Sequence, residues 1–544
     1  MSRSHSGKSL AHRVLRAGFA VSIAHLLFKL AGLWQARVMG HILPPATYDV
    51  VYAFAFENCI FSLFLIGEEV LGPACLPVFM REKDERGEAA AWSFANVVLS
   101  LQFILLAAVV AFLMAAPGLV TQLLTPWSPA HQPENYALAA DSVRRLAPTL
   151  LGLSLGSLTY VLLNSYKRFF LAAFGDAVWK FTVMVALTLF VVPGGHRAAT
   201  VLIGGLLAGS VLKLGTHLVG LRDKLHRIRT SLDLRNPALR RMLWLALPLL
   251  VGIVFAKIRD VVNNVYILGE LDAAGLMQAN SMGRKLQNAL HWLVPYTLSI
   301  AVFPFFCELV DQSDHARLGR VVTRVGRQLL AIFIPFAAIV AVLAIPLTGL
   351  IFGGGHFDAL AVRRTALAMA CYTFALPAAA VEAIVMQAFF ANRRMVAVTV
   401  VGIVFSAFSM GVSWAGLRLG GGRELLLLAA IAGGFALSRV LKTVALVQLL
   451  RRGTPVFPLA ETAGFLARVV LAAAAAAAVG GAVSSLAVRG TAGMELAPRL
   501  TDLLRLGAGG GAASLALLAA YRLLRVDEPF ELVRLAWRKR HRQG

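Results

Sequence analysis

Charged side chains interrupt two neighbouring apolar segments of this sequence. Lys257, Arg259 and Asp260 fall inside one segment, and Arg284 and Lys285 fall inside the next. An ionic side chain at the centre of a bilayer costs roughly 2.5–3.5 kcal/mol on insertion scales. Several such side chains in neighbouring segments therefore predict a polar cavity within the membrane. Because most of them are basic, that cavity would suit an anionic ligand.

The composition is typical of a membrane protein with many spanning helices. Of the 544 residues, 58% are hydrophobic and only 15% are charged, which excludes an ordinary soluble core. The formal net charge of +24 would suggest nucleic acid in a soluble protein. Here the basic residues gather between apolar runs, which predicts contact with anionic lipid headgroups and no nucleic-acid partner. The four cysteines lack metal-ligand spacing and are predicted to be packing residues.

The apolar runs and their breaks predict an all-α polytopic fold with about fourteen transmembrane helices. The first helix is expected to be retained, because the apolar stretch lacks a clear cleavage site of small residues. Lys and Arg concentrate in the even-numbered connections and in the tail, so both termini are predicted to be cytoplasmic. The predicted spans are 16–39, 47–80, 90–116, 146–165, 171–192, 198–220, 242–268, 274–307, 325–345, 364–391, 396–417, 424–450, 465–487 and 506–524.

Two landmarks recur in the second half of the chain at nearly the same sequence offset. Pro77 lies near the end of the second predicted span as Pro304 does in the eighth, and the basic turn at Lys167 matches the one at Arg393. Six spans separate the equivalents, so two six-helix lobes are expected to be parallel repeats. The predicted domains are an N-lobe at 1–220, a basic cytoplasmic linker at 221–241, a C-lobe at 242–452, two further helices at 453–526 and a basic cytoplasmic tail at 527–544.

The ionisable residues concentrate in the first two spans of each half. Transporters built from paired bundles place their substrate at the repeat interface, so a cleft between the bundles is expected here. Its cations match or outnumber its anions, which favours an anionic ligand over a cationic one. The candidate substrate-binding residues are Lys29, Lys257, Arg259, Arg284 and Lys285, and the candidate cavity or gating acids are Asp49, Glu57, Glu68 and Asp260.

Structural roles compete with this interpretation. Lys257 and Asp260 are three residues apart and can pair on one helix, whereas the adjacent Arg259 and Asp260 point roughly 100° apart and cannot easily share a partner. Glu68 and Glu69 can cap or pair locally. Three further charged residues are isolated in the sequence and are expected to have packing or interface roles: Lys180, Lys213 and Glu382.

Several short motifs, in their order and spacing, resemble the MurJ (MviN) lipid II flippases, a family within the multidrug and oligosaccharidyl-lipid exporters. The resemblance implies fourteen helices, a V-shaped cationic cavity between two six-helix lobes, and a groove from the last two helices for a polyprenyl tail. It implies an undecaprenyl-diphosphate-linked cell-wall precursor as substrate, moved from the cytoplasmic to the outer leaflet. The matching pieces are ARVMG at 36–40, ATYD at 46–49, EEVLGPACLP at 68–77, LNSYKRF at 163–169 and FGGGHF at 352–357.

The resemblance also implies roles for individual residues. By its distance from the proline near the end of the eighth span, Lys285 resembles the family's cavity arginine, with Arg284 beside it. Asp49 resembles the family's acid near the start of the second span, and Glu68 resembles the next acid.

This sequence departs from the family pattern in its first two spans. The family has two arginines in its first span. Lys29 resembles one of them, or His25 does if the alignment has no gap, and the other has no clear equivalent in this sequence. The second-span arginine pair falls near 62–63, where neither residue is basic. Lys257 and Arg259 are hypothesised to supply the replacement charge.

These features predict a transporter and not an enzyme: a flippase that moves lipid II by alternating access in the bacterial inner membrane. A lipid-linked diphosphate and anionic membrane lipids are the expected partners of a monomer. No nucleotide motif is visible, which argues against ATP-driven transport, so the membrane potential or a coupling ion would drive the cycle. No cofactor or metal is expected. The alternatives are a flippase for another lipid-linked oligosaccharide, a cation-coupled small-molecule antiporter dependent on Asp49, Glu57 or Glu68, and a non-transporting scaffold for envelope assembly.

Overall fold

A computed structural model of the chain describes residues 30–191, 197–291, 296–392, 394–491 and 497–530. Helices form nearly all of the regular structure in these ranges, where one isolated β-bridge joins Gly354 and Phe357. The all-α class is therefore confirmed. The chain divides into two compact units, Met1–Met277 and Gln278–Gly544. The domain boundaries drawn from the sequence repeat stay a prediction.

The first unit contains nine helices within the described residues. Its first helix, α1, covers 30–42, so Lys29 and most of the first predicted span lie outside the described residues. The following helices are α2 (Pro45–Arg86), α3 (Glu88–Ala115), α4 (Pro117–Leu124), α5 (Pro133–Leu146), α6 (Thr149–Ser165), α7 (Phe169–Phe190), α8 (Ala198–Gly220) and α9 (Pro237–Val261). Helix α9 continues beyond this α-helical part through the π-wound turn Val262–Tyr266 to Ile267–Gly269.

Helix α2 is continuous over 42 residues, but its segment Tyr48–Ile60 is wound as a π-helix. At the end of this segment the backbone N–H of Phe61 donates to the carbonyl of Phe56, five residues earlier. π-Helical turns are rare and often occur at functional sites. They also rotate the following side chains relative to an α-helical register, so 3.6-residue periodicity does not correctly predict the direction of Asp49 or Glu57.

The second unit is built from ten helices within the described residues, the first of which begins two residues before the unit does. They are α10 (Leu276–His291), α11 (Tyr296–Asp311), α12 (His315–Val342), α13 (Ala344–Phe352), α14 (Ala359–Thr373), α15 (Ala375–Ala391), α16 (Met395–Leu419), α17 (Glu424–Arg451), α18 (Leu459–Thr491) and α19 (Pro498–Leu523).

Helix α12 begins ten residues before the predicted span at 325–345. Asp314 caps the helix, because its carboxylate accepts a hydrogen bond from the backbone N–H of Arg317 at 2.9 Å. This cap satisfies a backbone donor that the first turn leaves free. The basic residues at 317–324 are therefore part of the helix and not of the preceding connection.

Ten helices in the described ranges are long and apolar enough to cross a membrane, and the bent pair α5 and α6, at 44°, brings the number to eleven. Helices α14 and α15 count together as one of the ten. The protein is therefore a multi-pass membrane protein. The exact number of fourteen spans stays a prediction, and most of the predicted basic tail, from 531 onward, lies outside the described residues.

Each unit has its own apolar core. In the first unit, α2, α3, α6 and α9 contribute buried side chains, including Phe79 and Trp92. The indole N–H of Trp92 also donates to the hydroxyl of Tyr166 at 2.8 Å. In the second unit, α11, α12, α15 and α17 enclose a core that includes Phe306 and Phe389. Several of the charged residues described next lie on helices of these cores: α2, α9, α15 and α17.

Candidate functional site

Lys257 in α9 forms an ion pair with Glu69 in α2. The ammonium nitrogen of Lys257 lies 3.1 Å from Oε1 of Glu69, and the two side chains are 15% and 46% exposed. Helix α9 packs against α2, so the lysine reaches across to the neighbouring helix. The pairing of Lys257 with Asp260 considered from the sequence is therefore wrong, and Glu69 does not pair locally.

Arg259 instead forms the ion pair with Asp260. Its Nη2 and Nε lie 2.8 and 3.2 Å from Oδ1 of Asp260. Both side chains are largely buried. Adjacent helical residues point roughly 100° apart, so the arginine side chain must bend sideways over the helix surface to reach its neighbour. The length of the arginine side chain allows the two residues to contact each other, a pairing that was not among those considered from the sequence.

Asp49 lies buried in the π-wound part of α2 and contacts the start of α10. Its Oδ2 accepts a hydrogen bond from the backbone N–H of Gly275 at 2.7 Å. Gly275 directly precedes α10 and has a φ of 88°, a conformation that favours glycine. A carboxylate at this position satisfies a free N–H and complements the positive end of the helix. Asp49 therefore holds Gly275, the residue before α10, against α2 within the first unit.

Glu57 and Glu68 are half-buried side chains farther along α2. The hydroxyl of Ser62 donates to the backbone carbonyl of Glu57 at 3.2 Å. Glu68 lies close enough to Lys213, Asp176 and Lys257 for their charges to act on its carboxylate. The structure thus places Glu68 in a group of charges contributed by α2, α7, α8 and α9.

Lys213 in α8 is a buried member of that group. Its ammonium nitrogen lies 2.6 Å from Oδ1 of Asp176 in α7, and only 1% of the lysine side chain is exposed. The same nitrogen lies 4.9 Å from the centroid of the Phe64 ring. Lys213 is isolated in the sequence, but in the fold it pairs with Asp176 of the neighbouring helix.

Arg284 in the second unit is positioned by aromatic contacts. Its guanidinium carbon lies 5.5 Å from the centroid of the Phe435 ring in α17. The rings of Tyr372 in α14 and Phe435 form a T-shaped pair at a centroid distance of 5.5 Å. The hydroxyl of Tyr372 donates to Oδ1 of Asn280, one turn before Arg284, at 2.9 Å. This chain of contacts joins α10, α14 and α17 around the guanidinium.

Lys285 and the backbone of α10 complete this arrangement. The ammonium of Lys285 donates to the hydroxyl of Ser281 at 3.0 Å. A Cβ atom at Gly283 would lie 2.9 Å from both the Cβ of Ala368 and the backbone nitrogen of Met369. Only glycine allows α10 to approach α14 this closely, so Gly283 determines where the two following cations lie.

Glu382 in α15 binds two cations of α17. Its Oε1 accepts a hydrogen bond from Nζ of Lys442 at 2.7 Å, and its Oε2 accepts one from Nε of Arg439 at 3.2 Å. The carboxylate side chain is 6% exposed. Glu382 is isolated in the sequence, but in the fold it has two cationic partners. Arg439 and Lys442 lie three residues apart in an apolar span, and this spacing could have predicted a charged group here from the sequence.

The predicted site residues are divided between the two units. Asp49, Glu57, Glu68, Lys257, Arg259 and Asp260 belong to the first unit, Arg284 and Lys285 belong to the second, and Lys29 lies outside the described residues. Within the first unit the structure brings Glu68 near Lys257, and it pairs Arg259 with Asp260. The described ranges contain no group of three His, Cys, Asp or Glu side chains that could hold a metal ion.

Comparison with known proteins identifies similar membrane transporters. A family model described as "Lipid II flippase MurJ" matches residues 36–499. A probable lipid II flippase MurJ of Synechocystis sp. is 26% identical over 381 residues, which are 68% of this chain and 69% of that protein. The lipid II flippase MurJ of Burkholderia cenocepacia is 23% identical over 391 residues, 70% of this chain and 74% of that protein.

Two solved structures share the fold. The structure titled "Lipid II flippase MurJ, inward closed conformation" has a TM-score of 0.68 and 17% identity, covering 93% of this chain and 99% of that one. An inward-facing multidrug resistance transporter of the MATE family has a TM-score of 0.66 and 13% identity, covering 80% of this chain and 98% of that one. At these identities the structural likeness supports the helical transporter fold.

Proposed function

We propose that this chain, which belongs to the MurJ family of lipid II flippases, moves lipid II across the bacterial inner membrane. The substrate is an undecaprenyl-diphosphate-linked cell-wall precursor, and it passes from the cytoplasmic to the outer leaflet by alternating access. The observation that carries this proposal is the family match over residues 36–499. The basic even-numbered connections support an orientation with both termini in the cytoplasm.

Arg284 and Lys285 are the proposed diphosphate ligands in the second unit. The Phe435 ring and the Ser281 hydroxyl orient these two cations without themselves neutralising the positive charge. A guanidinium can donate two parallel hydrogen bonds to phosphate oxygens, and a lysine ammonium attracts them as a point charge. The pair therefore suits a ligand that carries several anionic oxygens in a small volume.

Lys257 and Arg259 are the proposed substrate-binding cations of the first unit, and each would bind by exchanging partners. Each is held by a carboxylate, Glu69 or Asp260, at hydrogen-bonding distance. A phosphate oxygen can replace such a carboxylate at little electrostatic cost, since one anionic oxygen takes the place of another. Holding the cations in pairs while the substrate is absent avoids leaving bare positive charge within the membrane.

The remaining predicted residues are assigned to the same cycle. Lys29 is proposed to add a further substrate-binding cation, and Glu57 and Glu68 are proposed gating acids. Asp49 would act as a gate through its hydrogen bond to the start of α10. A ligand biases such a cycle only if it binds the inward and outward states with different affinity. The membrane potential or a coupling ion is proposed to reset the protein.

Complementation tests this function directly. The chain is expressed in bacteria depleted of their own lipid II flippase, next to Arg259→Ala, Arg284→Ala and Lys285→Ala. Arg418→Ala is the matched control, because Arg418 is an exposed arginine that lies 5.1 Å from the Trp414 ring centroid. At equal membrane abundance, the unmodified chain and the control should rescue growth, and the three variants should fail.

Two outcomes would contradict the proposal. Failure of the unmodified chain to rescue growth or to move labelled lipid II in reconstituted vesicles would refute lipid II as the substrate. A cation-coupled antiporter makes a different prediction. Its transport activity should be lost when Asp49, Glu57 or Glu68 is replaced and should stay complete when each of the cations is removed.

A further inference from the structure

The group around Glu382 carries an excess positive charge. One carboxylate, 6% exposed, is shared by Arg439 and Lys442, whose side chains are 27% and 23% exposed. Each cation has one hydrogen bond to this carboxylate. With all three groups ionised, the sum is one positive charge. An unbalanced charge among spanning helices is costly, so a built group of this kind favours an anionic ligand.

The two cations continue a line that begins at Arg284. Phe435, Arg439 and Lys442 are separated by four and three residues on α17, so they lie on one face of the helix. Arg284 lies over the Phe435 ring at the start of this line. At a rise of 1.5 Å per residue, the line extends over roughly 10 Å of the helix. A ligand with two linked phosphate groups fits a row of cations of this length better than a single small anion does.

Helix α10 contributes a cation to one end of this line. The guanidinium carbon of Arg284 lies 5.5 Å from the centroid of the Phe435 ring. At the other end, Glu382 of α15 holds Arg439 and Lys442 through one hydrogen bond to each. The line therefore draws on three helices of the second unit: α10, α15 and α17.

We propose that Arg439 and Lys442, continuing from Arg284, form a binding site for the diphosphate group of a polyprenyl-linked lipid. This inference rests on the proposed function and extends it to residues that the sequence analysis had not singled out. Glu382 takes one hydrogen bond from each cation, and the exposed fractions of the two cationic side chains, 27% and 23%, leave surface for phosphate oxygens. Glu382 orients the cations and keeps their net charge at one.

A purely structural ion pair makes a different prediction. If Glu382 only fastens α15 to α17, replacing either partner lowers stability and leaves diphosphate binding unchanged in the protein that remains folded. If the group is an anion site, the two replacements change binding in opposite directions. Glu382→Gln raises the net charge to two and should strengthen binding, whereas Arg439→Gln and Lys442→Gln should weaken it.

The experiment uses the full chain in nanodiscs of phosphatidylcholine, with undecaprenyl diphosphate as the probe. Binding is measured for Glu382→Gln, Arg439→Gln, Arg439→Lys and Lys442→Gln, and the thermal midpoint of each variant is recorded. Arg418→Gln removes one exposed positive charge from the same unit and is the control. We expect at least tenfold weaker binding for Arg439→Gln and Lys442→Gln, tighter binding for Glu382→Gln, unchanged binding for Arg418→Gln, and recovery of most of the affinity in Arg439→Lys.

Competitors identify the source of the phosphate chemistry. Competition by undecaprenyl diphosphate and inorganic pyrophosphate, with little by phosphatidylglycerol, supports the proposal. Equal competition by phosphatidylglycerol would assign the site to membrane lipid and overturn it. Unchanged binding in folded Arg439→Gln and Lys442→Gln would also overturn it. The proposed function would survive that result if the unmodified chain still moved labelled lipid II, so the two failures are distinguishable.

Discussion

The ammonium group of Lys213 and the carboxylate of Asp176 lie 2.6 Å apart, and only 1% of the lysine side chain is exposed. This contact joins α7 to α8 within the first unit. Gly156 leaves room for the lysine, since a Cβ atom there would lie 3.2 Å from Cε of Lys213. The pair therefore depends on close packing of α6 against α8 as well as on charge.

Lys213→Met should be strongly destabilising. Removing one partner of a buried ion pair leaves an uncompensated charge and typically costs about 3–5 kcal/mol. The free energy of unfolding in mixed micelles measures the effect. Arg145→Met is the control, because the pair of Arg145 with Asp141 is about half exposed and should contribute at most about 1 kcal/mol. Equal losses for the two variants would show that burial does not govern the Lys213 contact.

The Lys213 pair also illustrates what the sequence could and could not predict. Apolar run length depends on local composition, so the all-α membrane fold was predictable. The partner of a charged residue depends on which helices meet. Lys257 pairs with Glu69 in α2, far away in the chain, and not with Asp260 one turn along. The π-wound segment Tyr48–Ile60 likewise has no marker in the apolar pattern.

Asp223 should stabilise the protein in a pH-dependent way. Arg168 binds it with two hydrogen bonds of 2.6 and 2.8 Å. These bonds stabilise the carboxylate and lower the pKa of Asp223 from its usual 3.8 to about 2. Since the folded pKa is lowered, the stabilisation is fully present above the unfolded pKa and is lost as the pH falls through the folded pKa.

The measurement compares thermal midpoints of the unmodified chain and Asp223→Asn. Their difference should be constant from about pH 8 to about pH 5, and it should shrink as the pH falls from about 4 towards 2. Asp84→Asn, at an exposed position near the end of α2, provides the control and should change the midpoint little throughout. A difference that instead grew on acidification would contradict the lowered pKa.

Gly283→Ala should displace α10 from α14 and impair transport. The new Cβ would lie 2.9 Å from the Cβ of Ala368, and the backbone of Met369 is equally close. Overpacking of this kind typically costs about 1–3 kcal/mol. Glycine to alanine in an open helical position instead stabilises by roughly 0.5–1 kcal/mol. Because the two substitutions should change the stability in opposite directions, comparing them tests the close approach at Gly283 specifically.

Gly402→Ala provides that open position, since nothing lies within 4 Å of a Cβ there. It should slightly raise the thermal midpoint and leave lipid II transport intact. Gly283→Ala should lower the midpoint and reduce transport, because Arg284 and Lys285 move with the helix. Similar midpoints and transport rates for the two variants would show that the close approach at Gly283 does not position the cations.

Phe435→Leu should weaken diphosphate binding by acting through Arg284. The ring lies 5.5 Å from the guanidinium carbon, and a cation–π contact contributes about 0.5–2 kcal/mol. Loss of the contact should therefore lower affinity for undecaprenyl diphosphate about two- to thirtyfold. Trp414→Leu is the matched control, because it removes an aromatic ring that contacts the exposed Arg418 and should not change binding.

A double-mutant cycle separates positioning from general packing, since Phe435 also contacts Tyr372. If the ring acts by holding the guanidinium, Phe435→Leu should have little further effect on binding once Arg284 is replaced by alanine. If it acts by supporting α14 and α17, its effect should add fully to that of Arg284→Ala. Additive losses would therefore contradict the positioning role, whereas an effect that disappears without Arg284 would establish that Phe435 acts through the cation.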